Sequence, residues 1–174
     1  EIDLLLARAY GPSDPAPADS PQPLHDPELN ARSFLLRVAG RLVSYAGVVH
    51  FPLVHAGCTF SAAGLSSVAT DPAEQRRGYA QRVVRAASAY IADSGVDLGI
   101  FTCAPHLVAF YQEAGGWQPA PAVSLIGNSA PGALASNTLG VVVLLRLFSP
   151  RARAAADALS HGVIDLNFPP GRFI

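Results

Sequence analysis

The sequence predicts a mixed α/β fold in which helices flank one central, mostly antiparallel sheet. Extended apolar segments occupy residues 33–70, and a glycine loop with a 3.6-periodic segment follows at 75–93. Short strand and helix patterns then alternate as far as residue 148. This order of elements is typical of layers packed around one sheet.

At 174 residues the chain is predicted to form a single domain over residues 1–174. Residues 1–32 are predicted to be a Pro-rich N-terminal segment, because residues 11–23 read GPSDPAPADSPQP and prolines prevent a regular helix or strand. Residues 2–10 have the pattern of a short strand or helix. The core is expected over 33–148, and residues 149–174 are expected to be a C-terminal helix and tail.

Three antiparallel strands are predicted at the start of the core. The first covers 33–39, and the turn at Gly40 leads into the second at 42–54. The third covers 58–70, where Gly64 suggests a bulge or kink.

Helices and strands alternate in the second half of the core. A helix is predicted over 81–93 because its apolar residues recur on one face. A buried strand at 98–103 and a second helix at 106–114 follow. The remaining predictions are Trp117 as a core anchor, strands at 118–126 and 138–148 joined by a surface loop, a helix at 151–160 and an irregular tail at 163–174.

Composition limits the function classes. A net charge of −1 provides no global field for nucleic acid or a membrane surface. All twelve basic residues are Arg, so a Lys Schiff base is excluded. Cys58 and Cys103 stand alone; a disulfide could join them, but we expect two buried free thiols and no metal site. The acidic start lacks a signal-peptide pattern, and the apolar run at 139–145 is too short to span a bilayer, so we expect a cytoplasmic protein.

The loop at residues 75–80 provides the clearest chemical signal. A predicted strand ends, a polar turn follows, and a helix begins after Gly78. The first N–H groups of a helix lack intrahelical partners, and the helix dipole makes them a site for an anion. Gly78 allows a ligand to approach the backbone, while Arg76 and Arg77 add positive charge. The pattern suits a diphosphate, although on the loop alone an ordinary helix start is an equally good interpretation.

Two motifs together resemble one family. Residues 75–80, QRRGYA, match the Q/R-x-x-G-x-G/A signature of the GNAT superfamily of acetyl-CoA-dependent N-acetyltransferases. Residues 109–117, AFYQEAGGW, resemble that family's A-x-x-F/L-Y-x-x-x-G-F/W segment. The resemblance covers about residues 33–148. It implies a GNAT-like fold with a mostly antiparallel central sheet flanked by helices.

The resemblance also implies a site for acetyl-CoA or CoA as cosubstrate. In the family, the strand before the loop separates from its neighbour, and its backbone pairs with the pantetheine arm. The loop amides hold the pyrophosphate. The cofactor-binding residues expected from this match are Val68, Ala69, Thr70, Gln75, Arg76, Arg77, Gly78, Tyr79 and Ala80.

A weaker similarity links the chain to the aminoglycoside 2'-N-acetyltransferases, through residues 41–46, the Tyr111-to-Trp117 spacing and a G-x-x-hydrophobic ending at 171–174. The position at which those enzymes carry a carboxylate, thought to act as a base through water, aligns with Ser66. The local sequence GLSSV contains no acid. This departure argues against aminoglycoside activity.

N-acetylation needs a neutral amine, stabilisation of the oxyanion and a proton for the leaving thiolate. Tyr111 is the expected general acid, because the family places this tyrosine by the sulfur. The oxyanion donor is expected to be the backbone N–H of Val68 or Ala69. His50 and His55 are candidate bases because histidine titrates near neutral pH, and Ser66 is a candidate to hold a water.

The leading hypothesis is an acetyl-CoA-dependent N-acetyltransferase that acts by direct attack on the thioester. The acceptor is expected to be the primary amine of a small molecule or an amino sugar. The alternative is a non-catalytic acyl-CoA-binding or regulatory module. We expect no nucleic-acid or membrane partner, and edge strands near the C-terminus make a homodimer a possibility.

Overall fold

The computed structural model describes residues 1–11 and 24–174, so most of the Pro-rich stretch predicted at 11–23 lies outside the described residues. The strands in these ranges are β1 (Arg32–Val38), β2 (Arg41–His55), β3 (Cys58–Thr70), β4 (Leu98–Cys103), β5 (Gln118–Pro119), β6 (Val123–Ile126), β7 (Val142–Leu147) and β8 (Gly162–Asp165). The helices are α1 (Ile2–Tyr10), α2 (Tyr79–Asp93), α3 (Val108–Gly115), α4 (Ser136–Leu139), α5 (Pro150–Ala154) and α6 (Ala156–Leu159).

Within the described residues, six strands form one mixed sheet in the order β1-β2-β3-β4-β7-β5. The β3–β4 pair is parallel, and the other neighbours are antiparallel. A second, two-stranded sheet pairs β6 with β8 in parallel. The predicted fold class, a mostly antiparallel sheet flanked by helices, is confirmed.

One face of the main sheet is covered by α2 and α3. The inner stripe of α2 is buried at the positions expected from its periodicity: Val83, Val84, Ala87 and Ile91. Trp117 is 0% exposed, and its indole N–H donates to the hydroxyl of Ser88 at 2.8 Å. A Cβ on Gly99 of β4 would lie 2.6 Å from the Trp117 ring, so this glycine makes room for the indole. Trp117 therefore anchors this core, as predicted.

The opposite face carries two groups of elements. Residues of α6, β8 and the C-terminal segment pack under the middle of β2, where Phe51 meets Phe168 with ring centroids 4.9 Å apart. Helix α1 covers the end of the sheet, and its Leu5 is 0% exposed against Tyr45. Because α1 lies upstream of residue 33, the packed structure begins before the expected core.

Prolines and glycines alter the predicted strands after residue 117. The segment predicted as one strand at 118–126 is two strands in different sheets, because prolines 119 and 121 lack the N–H groups that a continuous ladder requires. The strand predicted at 138–148 begins only at Val142, because Gly140, with φ of 66°, ends the helical turn α4 first. The tail predicted as irregular contains β8, and the helix predicted at 151–160 is broken at Ala155 into α5 and α6.

Two local predictions were wrong. Gly64 pairs in register with Val49, so the strand does not bulge there. The glycine is instead required because a Cβ would collide with the carbonyl oxygen of Ile100 and the side chain of Ile174. Both cysteines are free, but only Cys103 is buried, since Cys58 directly follows the exposed β2–β3 turn.

Candidate active site

A wedge-shaped cleft separates the downstream halves of β3 and β4. The two strands pair only at Ala62 with Leu98 and at Ala63 with Gly99. Gly64 still lies against the carbonyl oxygen of Ile100, and no ladder pair joins residues 65–70 of β3 to residues 101–103 of β4. Ile174 lies between the two strands: the hydroxyl of Thr102 donates to its backbone oxygen, and its side chain packs against Gly64. The cleft thus opens toward the end of β3, from which the chain leads to α2.

A bulge shapes the β3 side of the cleft. The register with β2 shifts by one residue, with Tyr45 opposite Ala69 and then Gly47 opposite Ser66. Ser67 adopts φ of 53°, the left-handed conformation that such irregularities use. Beyond the bulge the strand stays attached to β2, because the hydroxyl of Ser44 donates to the carbonyl of Ala69 at 3.1 Å. One edge of this backbone is therefore held by β2, and the other faces the cleft.

The N-terminus of α2 offers backbone donors beside the cleft. The left-handed residue Gly78, with φ of 76°, is the N-cap and provides no side-chain cap. The first helical hydrogen bond from the cap runs from the Arg82 N–H to the Gly78 carbonyl at 3.1 Å. The amides that precede Arg82 in the helix therefore lack intrahelical acceptors: Tyr79, Ala80 and Gln81. A Cβ on Gly78 would meet no atom within 4 Å, so space for a ligand lies next to these amides.

One of the two arginines of the loop forms an ion pair within the protein, and the other is exposed. The buried Glu74 carboxylate accepts a hydrogen bond from the guanidinium of Arg41. Arg77 approaches the other oxygen of this carboxylate, with 3.1 Å between Nη1 and Oε2, as an ion pair without hydrogen-bond alignment. The Arg76 backbone has φ of 62°, and its side chain is exposed. The loop thus combines a charge tied to Glu74 with a second, solvent-facing charge.

Tyr111 is buried on the inner face of α3. Its ring contacts Phe101 and Phe110 edge-on, with centroids 5.1 and 5.0 Å away. Burial raises the pKa of Tyr111, and the nearby Tyr10 and Cys103 raise it further. The phenol therefore keeps its proton throughout the physiological pH range.

Tyr10 reaches the cleft from the end of α1. Its hydroxyl donates to the carbonyl of Val68 in the bulge, while most of the residue is exposed. Helix α1 is also tied to the end of β3, because Arg8 pairs with the buried Asp71 at 3.4 Å. Two phenols, from α1 and α3, therefore approach the same part of the cleft.

The structure does not bring His50 together with Tyr111. His50 pairs with Ala63 in the sheet and packs edge-on against Tyr90, with centroids 5.8 Å apart. Burial lowers its pKa, and Arg32 contributes in the same direction. Ala63 and Val68 are five residues apart, which is about 16 Å along a strand. His50 therefore lies toward the closed end of β3.

The remaining candidate catalytic residues, His55 and Ser66, lie in two other places. The ring of His55 contacts the carbonyl oxygen of Ala158 at 3.0 Å, so it serves to hold α6. Ser66 lies immediately before the bulge and lines a small pocket on the face opposite α2.

His25 is a candidate site residue that no sequence pattern indicated. Its Nε2 lies 3.2 Å from the hydroxyl of Tyr45 and faces Gly47, the sheet partner of Ser66. It comes from the irregular segment before β1, and no local pattern connects that segment with β3. A lone polar residue there gave no signal of its contact with the bulge.

Two further properties concern the described residues only. Within residues 1–11 and 24–174, no group of three or more His, Cys, Asp or Glu side chains is arranged to hold a metal ion. In the same ranges, no helix has both the length and the apolar character needed to cross a membrane.

Comparisons with known proteins agree with this arrangement. Residues 3–120, more than half of the chain, match the family model described as the acetyltransferase (GNAT) domain. A search of curated proteins finds no match. The predicted family is therefore shown, and acetyl-CoA, which GNAT enzymes use as cosubstrate, follows from it.

Solved structures show the same fold at low identity. Eis1 from Mycobacterium abscessus is 20% identical with a TM-score of 0.53, over 71% of this chain and 29% of its own. A probable N-acyltransferase of unknown function from Enterococcus faecalis is 19% identical with a TM-score of 0.53, over 68% and 29%. The ribosomal-protein-S18-alanine N-acetyltransferase of Escherichia coli is 15% identical with a TM-score of 0.52, over 84% of each chain. The chain thus spans less than a third of the first two proteins, and the aminoglycoside 2'-N-acetyltransferase similarity is not confirmed.

Proposed function

The chain belongs to the GNAT acetyltransferase domain family, and we propose that it transfers an acetyl group from acetyl-CoA to the primary amine of a small molecule. The observation that supports this most is the continuous path from the β3–β4 cleft to the free amides at the start of α2. The edge of β3 is suited to pairing with the pantetheine arm, and the backbone donors for the diphosphate follow it at the start of α2. Tyr111 lies beside the cleft.

The first part of the proposal concerns cosubstrate binding. Acetyl-CoA supplies an activated acyl group as a thioester. The free amides of Tyr79 and Ala80, with the helix dipole, bind its pyrophosphate, and Gly78 leaves room for the phosphates. Arg76 adds charge, whereas Arg77 orders the loop through Glu74. The remaining loop residue, Gln75, precedes these groups and is exposed.

The backbone of β3 orients the arm and the acetyl group. Val68, Ala69 and Thr70 hold the pantetheine arm through the edge that faces the cleft. An N–H of Val68 or Ala69 stabilises the charge that develops on the thioester oxygen. Ser66, before the bulge, holds a water on the acceptor side.

Tyr111 acts on the leaving sulfur. Because burial raises the pKa of Tyr111, it enters each turnover protonated. Full transfer to a thiolate, whose ordinary pKa is about 8.5, is uphill for such a phenol. Its contribution is therefore a hydrogen bond to the sulfur that strengthens as negative charge develops there.

The test begins with binding and continues with turnover. Calorimetric titration with acetyl-CoA should show one site per chain, and a thiol-release assay with a panel of primary amines should show acceptor-dependent CoA production. Absence of acetyl-CoA binding contradicts every CoA-based function. Binding without thiol release for any amine contradicts the transferase.

A second candidate is a non-catalytic acyl-CoA-binding module. Two observations favour it: no carboxylate stands at Ser66, and the Tyr10 hydroxyl occupies the Val68 carbonyl that the pantetheine arm is proposed to use. An aminoglycoside acceptor is a further alternative for the transferase. The thiol-release panel, with an aminoglycoside included, distinguishes these cases.

A further inference from the structure

A small pocket lies behind the bulge, on the face of the sheet opposite α2. It has a volume of about 120 Å³. Its polar groups come from three separate parts of the chain: His25, Asp26, Ser66, Ser67 and Arg172. Apolar side chains, among them Val49 and Phe173, form the rest of the wall. Ser67 is covalently adjacent to Val68, so the pocket ends about one residue, or 3.8 Å, from the backbone proposed to hold the acetyl group.

The imidazole of His25 is positioned by the sheet beneath it. A Cβ on Gly47 would lie 2.6 Å from His25 Nε2 and 3.0 Å from the carbonyl oxygen of Ser66. Gly47 is therefore the reason that the ring can lie against β2 beside Ser66. The ring also meets the Tyr45 hydroxyl at 3.2 Å, and that hydroxyl lies 3.3 Å from the hydroxyl of Ser33. These contacts hold the ring in one orientation.

The neutral ring can either accept a hydrogen bond from Tyr45 at Nε2 or donate one from Nε2–H to the Tyr45 oxygen, and base catalysis at Nδ1 requires the second arrangement. Burial lowers the pKa of His25, and the charge of Arg172 lowers it further, so the ring is neutral at pH 7. Burial also raises the pKa of Tyr45, which keeps that phenol protonated. When Nε2–H donates to the Tyr45 oxygen and Tyr45 donates to Ser33, the lone pair is on Nδ1.

Three charged side chains bear on this ring or on its partner Tyr45: Asp26, Asp3 and Arg172. Asp26 lines the same pocket, and Asp3 of α1 acts on Tyr45. Arg172 faces the ring from the C-terminal segment. The net effect of burial and Arg172 on His25 is a lowered pKa despite the neighbouring carboxylates.

We propose that this pocket receives an unbranched primary aminoalkyl arm and that His25 removes the proton from its ammonium group. The proposal rests on the transferase function above and specifies the acceptor side of the same cleft.

The proton balance of the reaction is as follows. The ammonium group gives one proton to Nδ1 of His25, and the neutral amine attacks the thioester carbonyl carbon. A C–N bond forms, the C–S bond breaks, and its electron pair leaves with sulfur. The attacking nitrogen passes its second proton to solvent as the amide forms, and the departing sulfur, which accepts a hydrogen bond from Tyr111, takes up one proton from solvent. The products are the amide, CoA thiol and one proton on His25, which passes to solvent.

The volume of the pocket indicates the shape of the acceptor. A volume of about 120 Å³ is several times the roughly 10–15 Å³ that one enclosed water molecule needs on the same measure. An amine on a chain of three or four carbons fits such a space between apolar walls. We expect such a space to favour an unbranched chain over a ring.

The experiment compares His25→Gln with His161→Gln, which changes an exposed histidine on the turn after α6. Acetylation of n-butylamine is followed by thiol release across pH 5.5–9.5, and acetyl-CoA affinity is measured by calorimetry. Gly47→Ala serves as a second variant, because its methyl displaces the imidazole without removing it. Cyclohexylamine replaces n-butylamine as the bulky control. Imidazole NMR resonances of the wild type report whether n-butylamine reaches His25.

We expect His25→Gln to lower kcat/KM for n-butylamine about 100-fold at pH 7, the usual scale for losing a general base. The deficit should shrink as the pH rises and more amine is neutral. Gly47→Ala should lower kcat/KM in the same direction, acetyl-CoA affinity should be unchanged, and His161→Gln should match the wild type. Cyclohexylamine should be at least about tenfold poorer than n-butylamine.

A His25→Gln variant within threefold of wild type, with the same acid limb in its pH profile, overturns the role of His25. Equal use of cyclohexylamine overturns the pocket assignment. If the wild type releases no thiol with any amine, the transferase function fails, and the pocket is judged by NMR alone. An n-butylamine-dependent shift of the His25 resonances then supports it, and no shift overturns it.

Discussion

Glycine 78 provides a matched test of the diphosphate site. Gly78 and Gly95 flank α2, with φ of 76° and 77°, and a Cβ on either residue would meet no atom within 4 Å. Substitution by Ala therefore imposes the same left-handed strain at both positions and no collision with the protein. The two positions differ in what surrounds the added methyl group. At Gly78 it lies beside the free amides of α2, where the diphosphate is proposed to bind, whereas Gly95 follows the other end of the helix.

The strain has an expected size. Placing an L residue in the left-handed region costs roughly 1–2 kcal/mol. For a chain of this length, each 1 kcal/mol lowers Tm by about 2–4 °C, so both Gly78→Ala and Gly95→Ala should lose about 2–8 °C. Equal losses in thermal or urea unfolding would confirm that the two substitutions are matched in stability.

The binding assay separates the two positions. Because the methyl group that Gly78→Ala introduces enters the space proposed for the pyrophosphate, calorimetry should show acetyl-CoA affinity weakened at least about tenfold, equivalent to about 1.4 kcal/mol. Gly95→Ala should bind within about twofold of wild type. Equal affinities for the two variants would refute the assignment of the diphosphate to this helix terminus.

Four other predictions concern single side chains. Tyr111→Phe should lower kcat about 100-fold in the thiol-release assay with acetyl-CoA affinity unchanged; an unchanged kcat contradicts its role as donor. Arg76→Gln should weaken acetyl-CoA binding about 3–10-fold, and Arg77→Gln less, because Arg77 is already paired with a carboxylate; the reverse order in calorimetry contradicts this. Trp117→Phe should lower the free energy of unfolding by about 2–4 kcal/mol, because it leaves a cavity and removes the hydrogen bond from the indole N–H to Ser88. An unchanged midpoint in urea unfolding would contradict a core role. Burial lowers the pKa of His50 in the native state, so the unfolded chain binds more protons at this residue and the free energy of unfolding falls as the pH drops below about 6.5. His50→Gln should reduce this fall between about pH 7 and pH 5. An identical fall in the variant and the wild type would disprove the linkage.

Local signals predicted the centre of the fold. The end of α2 at Asp93 and all of β4 and β3 lie where periodicity and glycine positions placed them. Each of these elements is specified by residues close together in sequence, such as the buried stripe of α2. The candidate CoA loop was predictable for the same reason, because Gly78 and the start of α2 are adjacent.

Long-range contacts determine the features that the sequence did not reveal. The strand β8 exists because β6 leaves the main sheet to pair with it, and only the three-dimensional structure joins these segments. The bulge at Ser67 depends on the register between β2 and β3, which no single residue type specifies. His25 reaches Ser66 only because Gly47, more than twenty positions later in the chain, leaves space for its ring.

A crystal structure of the protein with bound CoA would locate the cosubstrate directly. We expect the pyrophosphate oxygens to accept hydrogen bonds from the amides of Tyr79 and Ala80 at the start of α2. We expect the pantetheine arm to pair with the β3 edge at Val68 and to direct its sulfur toward Tyr111. CoA bound outside the β3–β4 cleft, or with its pyrophosphate away from Gly78, would refute the proposed site.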